Sequence, residues 1–248
     1  MRSFELDSLF TQSDAPCWCS QQNLLPAVAR MARRHAFPFL GNGDKSLSAV
    51  LRLWPDIALP HDKTVPAAAA AAAALESSTF FVAPGFVDGA LLDAARDAAS
   101  SVFDSQDVPR PFVEIMASIE ALRIDLAAAS GRELLESAEL QLLSYREGGA
   151  YRRHVDQANG VVVGPGGRGA RRSVSMVLFL TPDDWHADTD GGSLRIHAHK
   201  GGGACDVAPV AGSLVLFDSA TVPHEVLKTN RQRTVLAIWL QEEAQAGG

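Results

Sequence analysis

From residue 138 onward the chain divides into short runs with a two-residue period, most of them bounded by turn signals. Residues 139–145, 173–180, 192–198, 206–210, 213–217 and 234–240 each read as a strand. Between them stand Gly148-Gly149, Pro165-Gly166-Gly167, Asp190-Gly191-Gly192, the glycines of 201–203, and Ala211-Gly212. Many short strands separated by glycine and proline turns indicate a sandwich or barrel.

Helical patterns come before this region. Residues 80–82 predict a short strand, and Pro84-Gly85 a turn. Residues 87–102 have helical spacing, with Leu91, Leu92, Ala95 and Ala99 on one side. A second helix is expected over about 111–130, where Ile115, Ile119, Leu122 and Leu126 keep the 3.6-residue period and Gly131 ends the run. Helices followed by an all-strand core fit a mainly β chain with α elements (α+β): a double-stranded β-helix, or jelly roll, with supporting helices packed on one sheet. Residues 1–75 carry no clean pattern and are read as an accessory segment. They include a helix expected over 23–35 and Pro66 followed by eight alanines, read either as a helix or as a low-complexity linker. Residues 76–248 are read as the main domain.

The bulk numbers narrow the function classes. The chain has 248 residues, 47% hydrophobic and 21% charged, as in ordinary globular domains. No apolar stretch is long enough to span a bilayer, and the first forty residues are not expected to be a secretory leader. Three cysteines, Cys17, Cys19 and Cys205, make no disulfide framework, which favours an intracellular setting, cytoplasmic or nuclear. The net charge of −7 disfavours nucleic acid as a partner. Positive charge is concentrated locally, in Arg146, Arg152 and Arg153 and again in Arg168, Arg171 and Arg172. These are either solvated arginines or a rim that attracts an anionic cosubstrate or an acidic peptide.

Three residues in the strand-rich half carry candidate metal chemistry. His154 and Asp156 are two apart, so an extended segment points both to one side. His224 follows 70 residues later (224 − 154) in Val222-Pro-His-Glu-Val226, and the fold must bring it over. Two imidazoles and one carboxylate cap one face of a first-row metal and leave the other open, a set that suits Fe(II). Arg233 comes nine residues after His224 (233 − 224), in an apolar run where an unpaired charge is costly.

Several fixed spacings accompany the triad: Tyr145, Tyr151, His154, Asp156, Asn159-Gly160, Asp184-Trp185, Gly191-Gly192 with Leu194-Arg195-Ile196, then His224, Val226, Arg233 and Trp239. Together they resemble the prolyl 4-hydroxylase-like 2-oxoglutarate/iron(II) dioxygenases, and within them the hypoxia-type prolyl hydroxylases. The resemblance covers residues 138–241, with a looser match back to 79. It implies that His154, Asp156 and His224 ligate Fe(II), and that Arg233 pairs with the distal carboxylate of 2-oxoglutarate, whose pocket Tyr145 lines. It puts Tyr151 on the substrate side of the metal, and makes Leu194, Val226 and Trp239 an apolar wall. The resemblance also implies O2 as the co-oxidant and ascorbate as the reductant. In the resembled enzymes a tyrosine on the following strand also holds the distal carboxylate, whereas here the matching residue is Phe179. Ser175, on the same face, is expected to supply a hydroxyl instead.

The resemblance favours hydroxylation of a prolyl residue in a protein or peptide, with release of succinate and CO2. The basic loop 164–172, which includes Arg172, would close over that substrate. A small-molecule hydroxylase acting on a free amino acid is the runner-up. A jelly roll that binds metal or 2-oxoglutarate without turnover, as a sensor, is the reading from another class. His197 and His199 form a rival pair two residues apart, read as a solvated strand edge.

Overall fold

The computed structural model describes residues 35–38, 47–53, 66–87, 89–101, 108–136, 138–158, 162–163, 169–197 and 203–244. The expectations for Cys17, Cys19, residues 23–34, Asn159-Gly160, residues 164–168 and His199 lie outside them.

The strands are β1 (His35–Pro38), β2 (Leu47–Leu53), β3 (Phe80–Ala83), β4 (Ala138–Tyr145), β5 (Tyr151–His154), β6 (Val162–Val163), β7 (Gly169–Phe179), β8 (Leu194–His197), β9 (Ala204–Val207), β10 (Leu214–Asp218), β11 (His224–Val226) and β12 (Arg233–Glu243). The helices are α1 (Pro66–Glu76), α2 (Gly89–Ser101), α3 (Arg110–Ser130) and α4 (Ala187–Asp190). The pairs between these strands are antiparallel. One sheet runs β1-β2-β4-β12-β7-β10-β3, with β6 beside β7, and the second runs β5-β11-β8-β9. This is the jelly roll that the strand pattern predicts.

Residue parity along the central strands sorts the core into two layers. Leu140, Leu142, Val174, Met176, Leu178, Leu236, Ile238 and Leu240 turn to one face, where α1, α2 and α3 cover them. The alternate residues Leu143, Tyr145, Phe179, Val235, Ala237 and Trp239 turn to the inside of the roll and meet Leu194 and Ile196 of the second sheet. In α3, Ile115, Ile119, Leu122 and Leu126 are all buried, and Gly131 closes the helix in the left-handed region at φ 66°. Each such side chain stabilises the fold by about 1.5–3 kcal/mol relative to exposure.

The alanine run is a helix. Ala68, Ala71, Ala72 and Leu75 of α1 are buried, and α1 packs on α3 and β3. Small side chains allow that close approach where poly-alanine alone buries little. β2 pairs with β4 along its whole length, so residues 47–53 of the N-terminal segment extend the larger sheet. β8 lies between β11 and β9, which corrects the solvated-edge reading of its outward face. There Arg195 pairs with Asp206 at 2.6 Å, and His197 Nε2 lies 3.0 Å from Glu225 Oε1. Among the described residues no helix is long and apolar enough to cross a membrane.

Candidate metal centre and anion pocket

Register brings the triad together. His224 opens β11 and stands directly opposite His154, the last residue of β5. Their ring centroids are 4.3 Å apart. β5 ends at His154, and Asp156 follows in a bend, yet its carboxylate still turns to the histidines: Oδ1 lies 3.2 Å from His154 Nε2, and Oδ2 3.7 Å from His224 Nε2. Metal bonds of about 2.1 Å at right angles put neighbouring ligand atoms about 3 Å apart, so the spacing fits one ion.

Backbone carbonyls choose the tautomers. His154 Nδ1–H donates to the Arg152 carbonyl at 2.8 Å, and His224 Nδ1–H to that of Val222 at 3.2 Å. Each Nε2 is then left with a lone pair for a metal. Burial, with the neighbouring His154, pulls the His224 pKa down against the Asp156 charge and keeps the ring neutral. Burial alone would raise the Asp156 pKa. Its contacts with His154, His224 and Trp239 outweigh that and hold the carboxyl well below the usual carboxylate range. The set is two imidazole nitrogens and one carboxylate oxygen, the donor chemistry of a facial Fe(II) site.

Arg233, the first residue of β12, is 2% exposed. Its Nε and Nη1 are buried and have no hydrogen-bond partner among the described residues. Burial pulls its pKa down to about 10, so it remains a cation at neutral pH. A buried guanidinium with unused donors costs several kcal/mol unless an anion meets it. The Tyr145 ring lies 5.0 Å from it and the Phe179 ring 5.8 Å. Burial pushes the Tyr145 phenol up to about 12, with Arg233 opposing that shift and Asp156 adding to it. Gly192 makes room for Arg233, since a Cβ there would stand 2.8 Å from its Nε.

The other sequence-derived residues divide into two groups. Tyr151 is half-buried, with its ring 4.3 Å from that of His154. Leu194 pairs with Val226, and Val226 with Tyr151, so these three line one side of the triad. Two expectations need correction. Ser175 does not compensate for Phe179: it pairs with Trp239 in register, four residues along β7, and its hydroxyl meets Ser219 at 2.7 Å. A same-face hydroxyl about 13 Å along a strand serves the other end of the pocket. Arg172 belongs to β7 and not to a closing loop. Its guanidinium grips Glu139 through Nε and Nη2 at 3.2 and 2.7 Å and lies 3.9 Å over the Trp239 ring.

Sequence reading missed the supports of Asp156. Trp239 packs in the inner layer of the roll and donates Nε1–H to Asp156 Oδ2 at 2.9 Å. Gln157 donates its N–H to the Ser219 carbonyl at 2.9 Å. The Asp218-x-x-Thr221 spacing, typical of a side chain that caps its own turn, was the available signal for Ser219.

Residues 140–241 match the family model described as the 2OG-Fe(II) oxygenase superfamily. A PKHD-type hydroxylase of Teredinibacter turnerae is 38% identical over 97 residues, which are 39% of this chain and 40% of that protein. A hypoxia-inducible factor prolyl hydroxylase of Caenorhabditis elegans is 32% identical over 69 residues, which are 27% of this chain and 10% of that protein. The chain thus spans less than half the length of these curated relatives. The crystal structure of a Pseudomonas putida prolyl-4-hydroxylase is similar with a TM-score of 0.62 at 26% identity, over 71% of this chain and 100% of that one. The matched stretch includes His154, Asp156, His224 and Arg233.

Proposed function

We propose that the chain hydroxylates an unactivated C–H bond with Fe(II), 2-oxoglutarate and O2, a reading supported by the match of residues 140–241 to the family model described as the 2OG-Fe(II) oxygenase superfamily. The observation that carries this reading is Arg233, a buried cation with unused donors in the same roll interior as a two-histidine, one-carboxylate cluster.

His154, Asp156 and His224 hold the iron. Arg233 receives the distal carboxylate of 2-oxoglutarate, which a planar guanidinium suits. Tyr145 flanks that anion. When bound, iron couples decarboxylation of 2-oxoglutarate to oxygen insertion, releasing succinate and CO2, with ascorbate keeping the metal reduced. Leu194, Val226 and the Trp239 ring exclude water from the reacting atoms. Tyr151, on the open side, borders the acceptor. The acceptor is a prolyl residue of a protein or peptide, a choice supported by the names of the prolyl hydroxylase relatives and resting on analogy.

The test is succinate formation. The protein with Fe(II), ascorbate and 2-oxoglutarate is expected to form succinate only under O2, and His154→Ala to abolish it. Iron and 2-oxoglutarate binding with no succinate, even with a proteome supplied as acceptor, would support a sensor instead. Mass spectrometry of that proteome, seeking a gain of one oxygen atom on proline, identifies the acceptor.

A further inference from the structure

Thr229 is fully buried and lies in the turn between β11 and β12, four residues before Arg233 (233 − 229). Its backbone ties other loops to that turn. Its carbonyl accepts the N–H of Gly148 at 2.7 Å, and its N–H donates to the Gly149 carbonyl at 2.9 Å. It forms a β-bridge with Gly191, and the preceding Lys228 carbonyl accepts the Gly192 N–H at 3.0 Å. Its side-chain hydroxyl donates to the Arg231 carbonyl at 2.7 Å and lies 3.3 Å from that of Asp190.

Each loop tied in this way leads to a residue of the anion pocket. Gly148 follows Tyr145, the end of β4, by three residues (148 − 145). Asp190 precedes Gly192 by two (192 − 190), and Arg231 precedes Arg233 by two (233 − 231). Beside Thr229 the last two loops are also joined directly: the Asp190 carbonyl accepts the Asn230 N–H at 2.7 Å, and Asp190 Oδ2 accepts Arg231 Nη1–H at 3.0 Å. A Cβ on Gly192 would stand 2.8 Å from Arg233 Nε and 3.3 Å from Thr229 Cβ, so both side chains close the space over that glycine. Arg233 needs such a frame, because its Nε and Nη1 have no hydrogen-bond partner among the described residues. Its position is then set by its backbone and by packing.

We propose that Thr229 is a positioning residue for the anion pocket: its hydroxyl locks the turn into β12 and so sets where the Arg233 guanidinium stands relative to Gly192 and Tyr145. This rests on the reading of Arg233 as the seat of the distal carboxylate of 2-oxoglutarate. A hydroxyl-to-backbone bond of this kind fixes a turn that packing alone leaves free to shift. A shift is costly to a guanidinium fork, because bidentate pairing needs both N–H groups aimed at the two carboxylate oxygens. None of the Thr229 bonds described above reaches His154, Asp156 or His224, so the metal ligands keep their places.

The test is calorimetric titration of the Fe(II)-loaded chain with 2-oxoglutarate in the absence of O2. Thr229→Val keeps the shape and the backbone bonds and removes the hydroxyl. It is expected to weaken 2-oxoglutarate binding about tenfold, the scale of one lost charge-assisted hydrogen bond, with Fe(II) affinity unchanged. Thr229→Ser keeps the hydroxyl and stays within about twofold of wild type. It serves if Thr229→Val does not fold, since a loss of about tenfold in Thr229→Ser would overturn the proposal. Ile119→Val, a truncation in the layer under the helices, lowers the melting temperature and leaves 2-oxoglutarate affinity unmoved, which separates positioning from general loosening. Wild-type 2-oxoglutarate affinity in Thr229→Val, a matching loss of Fe(II) affinity, or the same loss in Ile119→Val would overturn the proposal and leave the Arg233 pocket standing. A wild-type protein that binds no iron or no 2-oxoglutarate would overturn both.

Discussion

The indole Nε1 of Trp239 donates to Oδ2 of Asp156 over 2.9 Å. One side chain of the larger sheet thus holds the carboxylate that follows β5 of the smaller one. Trp239→Phe keeps most of the aromatic volume and removes only the donor. Fe(II) affinity is expected to fall ~10-fold or more, while unfolding free energy drops by about 1 kcal/mol. Metal titration beside denaturant melts separates the two. An unchanged iron affinity would show that the indole is packing alone.

Arg233 carries two buried nitrogens without partners among the described residues. Arg233→Met removes an uncompensated charge and keeps a long apolar stem. The ligand-free variant is expected to be more stable than wild type by ~1 kcal/mol, and its 2-oxoglutarate dissociation constant to rise by about 100-fold or more. Arg233→Lys keeps the charge but loses the fork, so it binds more weakly than wild type. Calorimetry with 2-oxoglutarate checks affinity and thermal melts check stability. A destabilised Arg233→Met would mean that the guanidinium already has its partner within the protein.

Gly192 sits at φ +73°, and a Cβ there would meet Arg233 Nε at 2.8 Å and Cδ at 3.1 Å. Gly192→Ala is therefore expected to displace the guanidinium and cost about 1 kcal/mol of backbone strain. The expected signature is about tenfold weaker 2-oxoglutarate binding with Fe(II) affinity intact. Loss of both affinities together would count against a pocket-specific role.

Asp218 titrates in a direction that can be tested. Burial raises its pKa, but hydrogen bonds from Arg132 and Thr221 and the Arg132 charge outweigh it, so the folded value lies below the ordinary 3.8. A group depressed in the folded state contributes stability that is present above its unfolded pKa and lost as pH falls through the folded one. Wild type should therefore lose melting temperature below about pH 4. Asp218→Asn should start lower at neutral pH and fall less steeply over the same acid range. Parallel curves would exclude Asp218 as a contributor.

Much of the candidate site was legible in the sequence, because the spacings that mark it are local. His154-x-Asp156, Val222-Pro-His and an arginine nine residues further on each sit on a short element whose geometry is set by its neighbours in the chain. The helices were legible for the same reason: Ile115, Ile119, Leu122 and Leu126 face the sheet wherever that helix packs. The misreadings occurred where a side chain's role depends on the neighbouring strand. Ser175 and Phe179 share a face of β7, yet register puts Ser175 against Trp239 and Phe179 against Val235. The sequence alone could not show that β8 is flanked on both sides, or that residues 47–53 pair with β4.

The sequence by itself determined which residue types are available, their alternation along each strand, and the turns between strands. These depend on interactions across a few residues, where the two-residue and 3.6-residue periods hold in any fold. The tertiary structure alone decided register: His154 opposite His224, Trp239 on Asp156, Ser219 on Ser175, and Gly192 against Arg233. Register is a long-range choice made by the packing of two buried faces, and a slip of one residue turns every side chain to the other face.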